Sequence, residues 1–374
     1  MPGRPPIVAD DILRILKIFP GSPLGATFLT FLCYIRTKQS GFSVKSPLEL
    51  IKVSPVLKGV WILTILRIIN NALSRLALNP DWRRDRPNWK SSKEIVVITG
   101  GARGIGAGLV DLLAKKTKRI AVLDMVEPAY QAKGIRYYKC DVTDRERIRE
   151  VGDQIRKELG HPTVLINNAG IAQGERLLDY TEDTWMKPYK INVLGAVFMI
   201  QEFLPNMIKN NHGHVQMVAS VAAYMSVPQL GEYCCAKSAA VALHEVLTQE
   251  LKHRYDAPRV RTSLVCPNKV TTDLGNHMAP NANEFFNPTL TVAEVNKAML
   301  DQIESGLSGA VVLPPILGSL VPFAKALPPW FYQSLAVSGK LHRTITDDSR
   351  VQGRKNVQPG SLLANIVYPR VDKK

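Results

Sequence analysis

A chain of 374 residues, 45% hydrophobic and 21% charged, has room for one large α/β domain plus an appendage, and its composition argues against wholesale disorder. The formal net charge of +16 is uneven: residues 1–93 carry 15 Lys/Arg against 5 Asp/Glu, or +10, leaving +6 for the other 281. Such a basic front end suits nucleic acid or an anionic membrane; lacking any nucleic-acid motif and carrying apolar runs among its charges, it points to a membrane and to no nucleic acid.

Residues 1–92 are heterogeneous. No secretory signal is read at the start, because Lys17 and then Pro20-Gly21-Ser22-Pro23 interrupt the first apolar run. Residues 24–35 form an apolar run too short to span a bilayer as a straight helix. Residues 56–69 are mostly apolar, carry Trp61, and are interrupted by Lys58 and Arg67; Pro47 and Pro55 are expected to break the approach. A hairpin or interfacial helix is therefore expected rather than a transmembrane span, the alternative being helices packed on protein. Residues 79–93, with Pro80 and Pro87, read as a linker.

From Lys93 onward short β runs alternate with helical stretches. Strands are expected at 94–99, 119–124, 135–140, 163–167, 214–219, 259–265 and 309–313, with helices after Gly106 and over 144–159, 181–209 and 229–254. Strands alternating with helices imply right-handed βαβ units and a parallel sheet covered on both faces. The fold class is thus α/β, a doubly wound Rossmann domain over 93–315, with the apolar segment before it. In the Pro-rich tail from 316 to 374, Ile316, Leu317, Leu320, Val321, Ala324 and Leu327 recur at helical spacing up to Pro328-Pro329-Trp330. That spacing suits a lid, a second membrane contact or a packed helix equally.

The first chemical signal is the turn Thr99-Gly100-Gly101-Ala102-Arg103-Gly104-Ile105-Gly106 between strand and helix. Its glycines let backbone approach a pyrophosphate, and a helix N-terminus offers free N–H groups and positive dipole to it. Asp124 ends the second strand, where a carboxylate accepts hydrogen bonds from ribose hydroxyls and repels a 2′-phosphate. Arg103 argues the other way, since a guanidinium can pair with that phosphate; alternatively Arg103 and Asp124 pair with each other. NAD(H) is favoured, with NADP(H) as the alternative. Proton transfer needs a donor near the substrate oxygen, and Tyr233-Cys234-Cys235-Ala236-Lys237 sets Tyr233 and Lys237 on one helix face. A free tyrosine titrates near about 10, and a neighbouring ammonium is expected to lower that value. Ser220, at a strand end 13 residues upstream, would hold the substrate oxygen beside Tyr233.

Together these motifs resemble the classical short-chain dehydrogenase/reductase family across 93–315. The resemblance adds Asp141-Val142 as the adenine contact, Asn167-Asn168-Ala169-Gly170 along the adenosine side, and Asn192 as the asparagine of a catalytic tetrad with Ser220, Tyr233 and Lys237. It further implies that Lys237 binds the nicotinamide ribose, that Asn192 anchors a water of a proton relay, and that Val270 and Thr272 meet the carboxamide. One departure is Pro267-Asn268 in place of the family's Pro-Gly, where asparagine's tolerance of positive φ would preserve the turn. The apolar front and Pro-rich tail are similar to the membrane-associated branch of retinol and 17β-hydroxysteroid dehydrogenases of the endoplasmic reticulum and lipid droplets. That resemblance implies a lipophilic alcohol or ketone as substrate, a homodimer, and a catalytic domain facing the cytosol. A tailoring reductase for a polyketide or terpenoid would use the same residues. A non-catalytic cofactor-sensing scaffold is the rival of another class, and the intact Ser220, Tyr233 and Lys237 count against it. Five scattered cysteines without a CxxC pair suggest neither disulfides nor zinc, and His212 and His214 are read as loop and strand residues rather than ligands of a metal.

Overall fold

The computed structural model describes residues 22–40, 45–79, 84–91, 93–130, 134–276, 278, 284–285, 287–315 and 318–338. The chain divides into two compact units, Met1–Arg83 and Arg84–Lys374.

Among its described residues the first unit holds three helices, α1 (Pro23–Gln39), α2 (Pro47–Val53) and α3 (Pro55–Leu78). Each begins on a Ser-Pro pair: Ser22, Ser46 and Ser54 accept a first-turn N–H through their side chains, and the proline follows inside the first turn. Proline lacks only an N–H that has no helical partner there, so it starts these helices. The expected breaks at Pro47 and Pro55 are therefore helix beginnings. Helix α3 also runs nine residues past Ile69. Its 24 residues rise about 36 Å, against about 30 Å of bilayer hydrocarbon, and only 11% of its most apolar window is buried. By length and composition it can cross a membrane, which the reading of its core as a short run did not anticipate. Trp61 Nε1 donates to Thr30 Oγ1 at 3.1 Å, joining α3 to α1.

The second unit is a parallel seven-stranded sheet of order β3-β2-β1-β4-β5-β6-β7: β1 (Val96–Thr99), β2 (Ile120–Asp124), β3 (Ile135–Lys139), β4 (Val164–Asn167), β5 (Gly213–Val218), β6 (Val260–Pro267) and β7 (Gly309–Leu313). Its helices are α4 (Gly104–Ala114), α5 (Arg145–Glu158), α6 (Glu182–Tyr189), α7 (Gly195–Lys209), α8 (Gly231–His253), α9 (Asp273–Asn276), α10 (Val292–Ser305) and α11 (Pro329–Ser338). Successive strand residues serve opposite faces. Val97 and Leu165 pack with Ile148, Phe203 and Leu247 of α5, α7 and α8. Val96, Ile98 and Ile166 pack with Leu109, Met299 and Ile303 of α4 and α10. Between α6 and α7 the wide turn Lys190–Leu194 closes i to i+5 hydrogen bonds, two residues after Pro188.

Three expectations need correction. The strand pattern left 292–305 unassigned, yet Thr291 and Glu294 form a reciprocal capping box that opens α10. Beyond β7, Gly318–Ala326 winds as a tighter 3-10 turn, and α11 begins at Pro329 where an end was expected; Ile316, Leu317 and the polar tail after 338 lie outside the described residues. Finally, the segment read as a linker is built into the second unit from Arg84. Asp85, whose side chain is 5% exposed, pairs with Arg259 and with the fully buried Arg261, and its N–H donates to Gly306 O at 3.0 Å.

Candidate active site

Parallel strands bring their carboxyl ends to one edge, where open α/β sheets bind ligands. Thr99, Asp124, Asn167, Val218 and Pro267 all stand at or beside such ends. At the end of β1, Gly100 and Gly104 adopt φ of 64° and 54°, which disfavours any residue with a Cβ. A Cβ on Gly106 would lie 2.1 Å from Gly100 O. The loop is held from β4: Asn168 Nδ2 donates to Thr99 O at 3.0 Å and to Gly100 O at 2.9 Å, while Thr99 Oγ1 accepts the N–H groups of Asn168 and Ala169. Asn168 thus braces the loop with its side chain. Arg103 takes the N-cap position of α4 without a capping hydrogen bond, so the first-turn N–H groups of Gly104, Ile105 and Gly106 stay available for an anion.

Asp124 accepts Ala102 N–H at 3.0 Å and Val126 N–H at 3.2 Å. The Arg103 side chain is exposed, and the ion pairs among the described residues do not include one between Arg103 and Asp124. Asp141 Oδ1 accepts both the N–H and hydroxyl of Thr143 at 2.8 Å, which shapes the turn before α5. Val142 is buried and lines a small cavity with Thr99, Asn167, Asn192 and Val218. Asn167 is 6% exposed and both polar atoms of its side chain lack a hydrogen-bond partner. A buried amide left open at the cofactor edge is the orphaned group a bound ligand would satisfy. The glycine cradle, the uncapped helix and Asn167 together fit a dinucleotide.

The chemical groups converge from β5, α8 and the wide turn. Ser220 Oγ donates to Pro267 O at 3.3 Å and accepts Ala222 N–H at 3.1 Å, and its hydroxyl acts on the Tyr233 phenol by lowering its pKa. Lys237 Nζ, one helical turn after Tyr233, donates to Val218 O at 2.9 Å and sits 5.5 Å from the Tyr233 ring centroid. Asn192 Oδ1 accepts Ile171 N–H at 2.8 Å and its Nδ2 donates to Ile171 O at 2.9 Å. Gly170, the last residue of the run expected along the adenosine side, keeps the centre open: a Cβ there would stand 2.9 Å from Asn192 Oδ1 and 3.2 Å from Lys237 Nζ.

The electrostatics correct one expectation. Burial pushes the Tyr233 phenol up to about 12, against a lowering by the Ser220 hydroxyl, and burial pushes Lys237 down to about 8. Desolvation, not the Lys237 ammonium, sets the direction of the phenol's shift. The resting phenol is consequently a protonated donor. Val270 is buried in a bridge to Leu290, and Thr272 lies 3.4 Å from a Cβ placed on Gly104, on the far side of the glycine loop. Asn268 is not among the residues of positive φ, so the Pro-Asn turn never needs asparagine's tolerance; its N–H donates to Leu313 O at 3.1 Å. Around Tyr233 the lining is apolar: Ala172, Ala222, Leu230 and Cys234 pack with it, joined by Val227 and Leu274.

Comparison with known proteins agrees with this geometry. A family model described as short chain dehydrogenase matches residues 94–283. Dehydrogenase RED2 of Cochliobolus heterostrophus is 40% identical over 211 residues, covering 55% of this chain and 79% of that protein. Estradiol 17-beta-dehydrogenase 11 of Homo sapiens is 32% identical over 247 residues, covering 64% and 80%, and epidermal retinol dehydrogenase 2 of Mus musculus is 30% identical over 230, covering 58% and 74%. Among solved structures, a short chain dehydrogenase from Burkholderia cenocepacia J2315 in complex with NADP superposes with a TM-score of 0.55 at 22% identity, covering 66% of this chain and 98% of that one. This last likeness concerns the fold alone.

Proposed function

Because this chain belongs to the short chain dehydrogenase family, and so is a nicotinamide-dependent oxidoreductase of alcohol groups, we propose that it interconverts a lipophilic alcohol and its carbonyl at a membrane surface, with Tyr233 as the proton-transfer residue. The observation that carries the reading is the buried Tyr233, one helical turn from Lys237 on one helix, with the Lys237 ammonium 5.5 Å from its ring centroid. The cofactor, held by Gly100, Gly104, Ile105, Gly106, Asn167 and Asp124, supplies or accepts the hydride when bound. Ser220 holds the substrate oxygen through its hydroxyl. Tyr233 Oη gives its proton to that oxygen in reduction and takes one in oxidation. Lys237, still mostly charged at neutral pH with its value near 8, favours the phenolate when the proton has left, and Asn192 fixes the backbone at Ile171 beside it. Asp124 favours NAD over NADP, since its carboxylate would meet a 2′-phosphate with like charge while Arg103 leaves it unpaired.

The apolar cluster around Tyr233 supports a lipophilic substrate of steroid, retinoid or fatty type, as do the names of two relatives, which act on estradiol and retinol. For the membrane, α1 and α3 expose Leu24, Phe28, Ile62, Leu63, Leu66 and Leu73, and water is a poor solvent for such a surface. Lys58 and Arg75 mark the ends of α3, where long side chains reach headgroups, while mid-helix Arg67 costs about 2.5–3.5 kcal/mol on insertion. The test is turnover of estradiol and retinol with NAD or NADP, followed by NAD(P)H absorbance, for full-length protein and Tyr233→Phe. Turnover by the parent and none by the variant is expected, with cofactor affinity kept. A variant within a few-fold of the parent would end the assignment.

A further inference from the structure

The loop after β4 leads from the cofactor edge over Tyr233, and it is fastened at two points. At its start, Asn192 grips both backbone groups of Ile171. Further on, the grip comes from the residue next to the proton-transfer tyrosine. Glu232 is 1% exposed on the first turn of α8. Its Oε1 accepts Gln173 N–H at 2.7 Å and Gly174 N–H at 3.3 Å, and its Oε2 accepts the Tyr180 hydroxyl. The Tyr180 oxygen in turn accepts Glu175 N–H at 3.2 Å, and its ring stands edge-on to Trp185 with centroids 5.1 Å apart. Between the two fastenings lies Ala172, packed in the cluster that contains Tyr233, Leu230 and Cys234.

A carboxylate buried this deeply is costly unless donors surround it. Here three donors converge on it, all of them from the loop 171–180, and that loop packs through Ala172 in the same cluster as the phenol ring. Glu232 immediately precedes Tyr233, so the fastening falls on the very helix turn that carries the phenol. We propose that Glu232 is a positioning residue for this oxidoreductase, tying the loop 171–180 to the helix turn that carries Tyr233 so that substrate and proton donor keep one geometry. The inference rests on Tyr233 being the proton-transfer residue. Burial, and then the bond to Glu232, raise the Tyr180 phenol above its ordinary value, so Tyr180 remains the donor of its pair. Glu232→Gln keeps an oxygen for the two backbone N–H groups but meets the Tyr180 hydroxyl with a donor. Glu232→Leu keeps none of the three bonds.

The experiment pairs hydrogen exchange by mass spectrometry on a peptide covering 172–180 with steady-state kinetics on retinol, using the full chain. Glu232→Leu is expected to speed exchange in that peptide about tenfold or more while β5 stays protected. It should lower kcat/KM by about 10–100-fold, the scale of an ångström-sized misplacement, with cofactor affinity unchanged. Glu232→Gln is expected to recover most of both. A milder variant, Tyr180→Phe, removes one of the three bonds and should loosen the loop partly, which covers failure of the Leu variant to fold. A merely structural role would lower melting temperature and active fraction while leaving KM and local exchange in the folded protein as they were, and that result overturns the proposal. So does a Glu232→Leu enzyme within twofold of the parent. If the parent turns over neither retinol nor estradiol, the substrate reading above falls, and the exchange measurement alone then decides the fastening: unchanged exchange refutes it, loosened exchange upholds it.

Discussion

Replacing Asp85 with Ala should destabilise the catalytic unit far more than its place in a Pro-rich stretch near the unit boundary suggests. The Arg261 side chain is 0% exposed and Asp85 is its carboxylate partner, itself 5% exposed. Arg259 donates to the same carboxylate at 2.9 and 2.7 Å, but its side chain is 46% exposed. Removing the carboxylate takes a charge partner from a buried guanidinium that also donates to Pro258 O at 3.1 Å. Breaking a buried pair by deleting one partner costs about 3–5 kcal/mol. At about 2 °C per kcal/mol for a unit of this size, the melting temperature should fall by about 5–10 °C. Arg259→Ala, losing a largely solvated partner, should cost under about 1 kcal/mol. The assay is a thermal melt of full-length protein in detergent, with urea unfolding as a check. Because the burial penalty belongs to the charge, Asp85→Leu combined with Arg261→Met should recover much of the loss. A fall of less than about 2 °C for Asp85→Ala, or an equal fall for Arg259→Ala, would refute the reasoning.

The same pair decides where the chain can be cut: a protein beginning at Arg84 should leave the membrane fraction in flotation yet keep its melting temperature, whereas one beginning at Lys93 loses Asp85 and should melt lower. A shortened Arg84 form that still floats with vesicles would count against α1 and α3 as the membrane contact. Asp124→Ala should narrow the preference for NAD over NADP, read from the two dissociation constants, and an unchanged ratio would show that the carboxylate does not reach the ribose. Acid should destabilise the unit through two buried imidazoles, since burial pushes His214 down to about 3 and His244 to about 4. The folded state holds both neutral, so their contribution is whole above the unfolded value near 6.5 and is lost as pH falls from there toward 4. By pH 5 the loss is about 2 kcal/mol for each. His212, raised by its bond to Glu94, works in the opposite sense, but its side chain is 40% exposed and offsets only a fraction. Urea midpoints that do not change between pH 7 and 5 would contradict this.

The strands and the chemical groups were legible because their signals are local. Val96, Val97 and Ile98 alternate between faces within one short run, and Tyr233 and Lys237 share a helix face through four-residue spacing. Helix α10 was equally local, in Thr291 and Glu294, and a reading attentive to capping boxes would have found it. The Ser-Pro starts were misjudged because proline breaks a helix in its interior and tolerates its first turn, so position outweighs identity. Asp85 was out of reach: its partner Arg261 lies 176 positions away. Glu232 had no signal beyond standing next to Tyr233, since its three donors come from a loop more than fifty residues earlier. The raised Tyr233 phenol likewise belongs to tertiary burial, which four-residue spacing cannot report.

The wide turn Lys190–Leu194 can be regarded as a phase shifter. Each helical residue advances about 100° around the axis, and a turn closed over five residues instead of four accommodates one extra residue without breaking the rod. Asn192 sits inside that turn, and the stripe Met199, Phe203 and Met207 on α7 meets the sheet beyond it. Deleting a single residue there would return the rod to ordinary winding and force a choice between two alignments. Either the stripe stays on the sheet and α6 swings by about a quarter turn, or α6 stays and the stripe rotates toward water. The surplus residue therefore lets one continuous helical rod answer to two masters, the core along α7 and, inside the turn itself, the loop that Asn192 holds at Ile171.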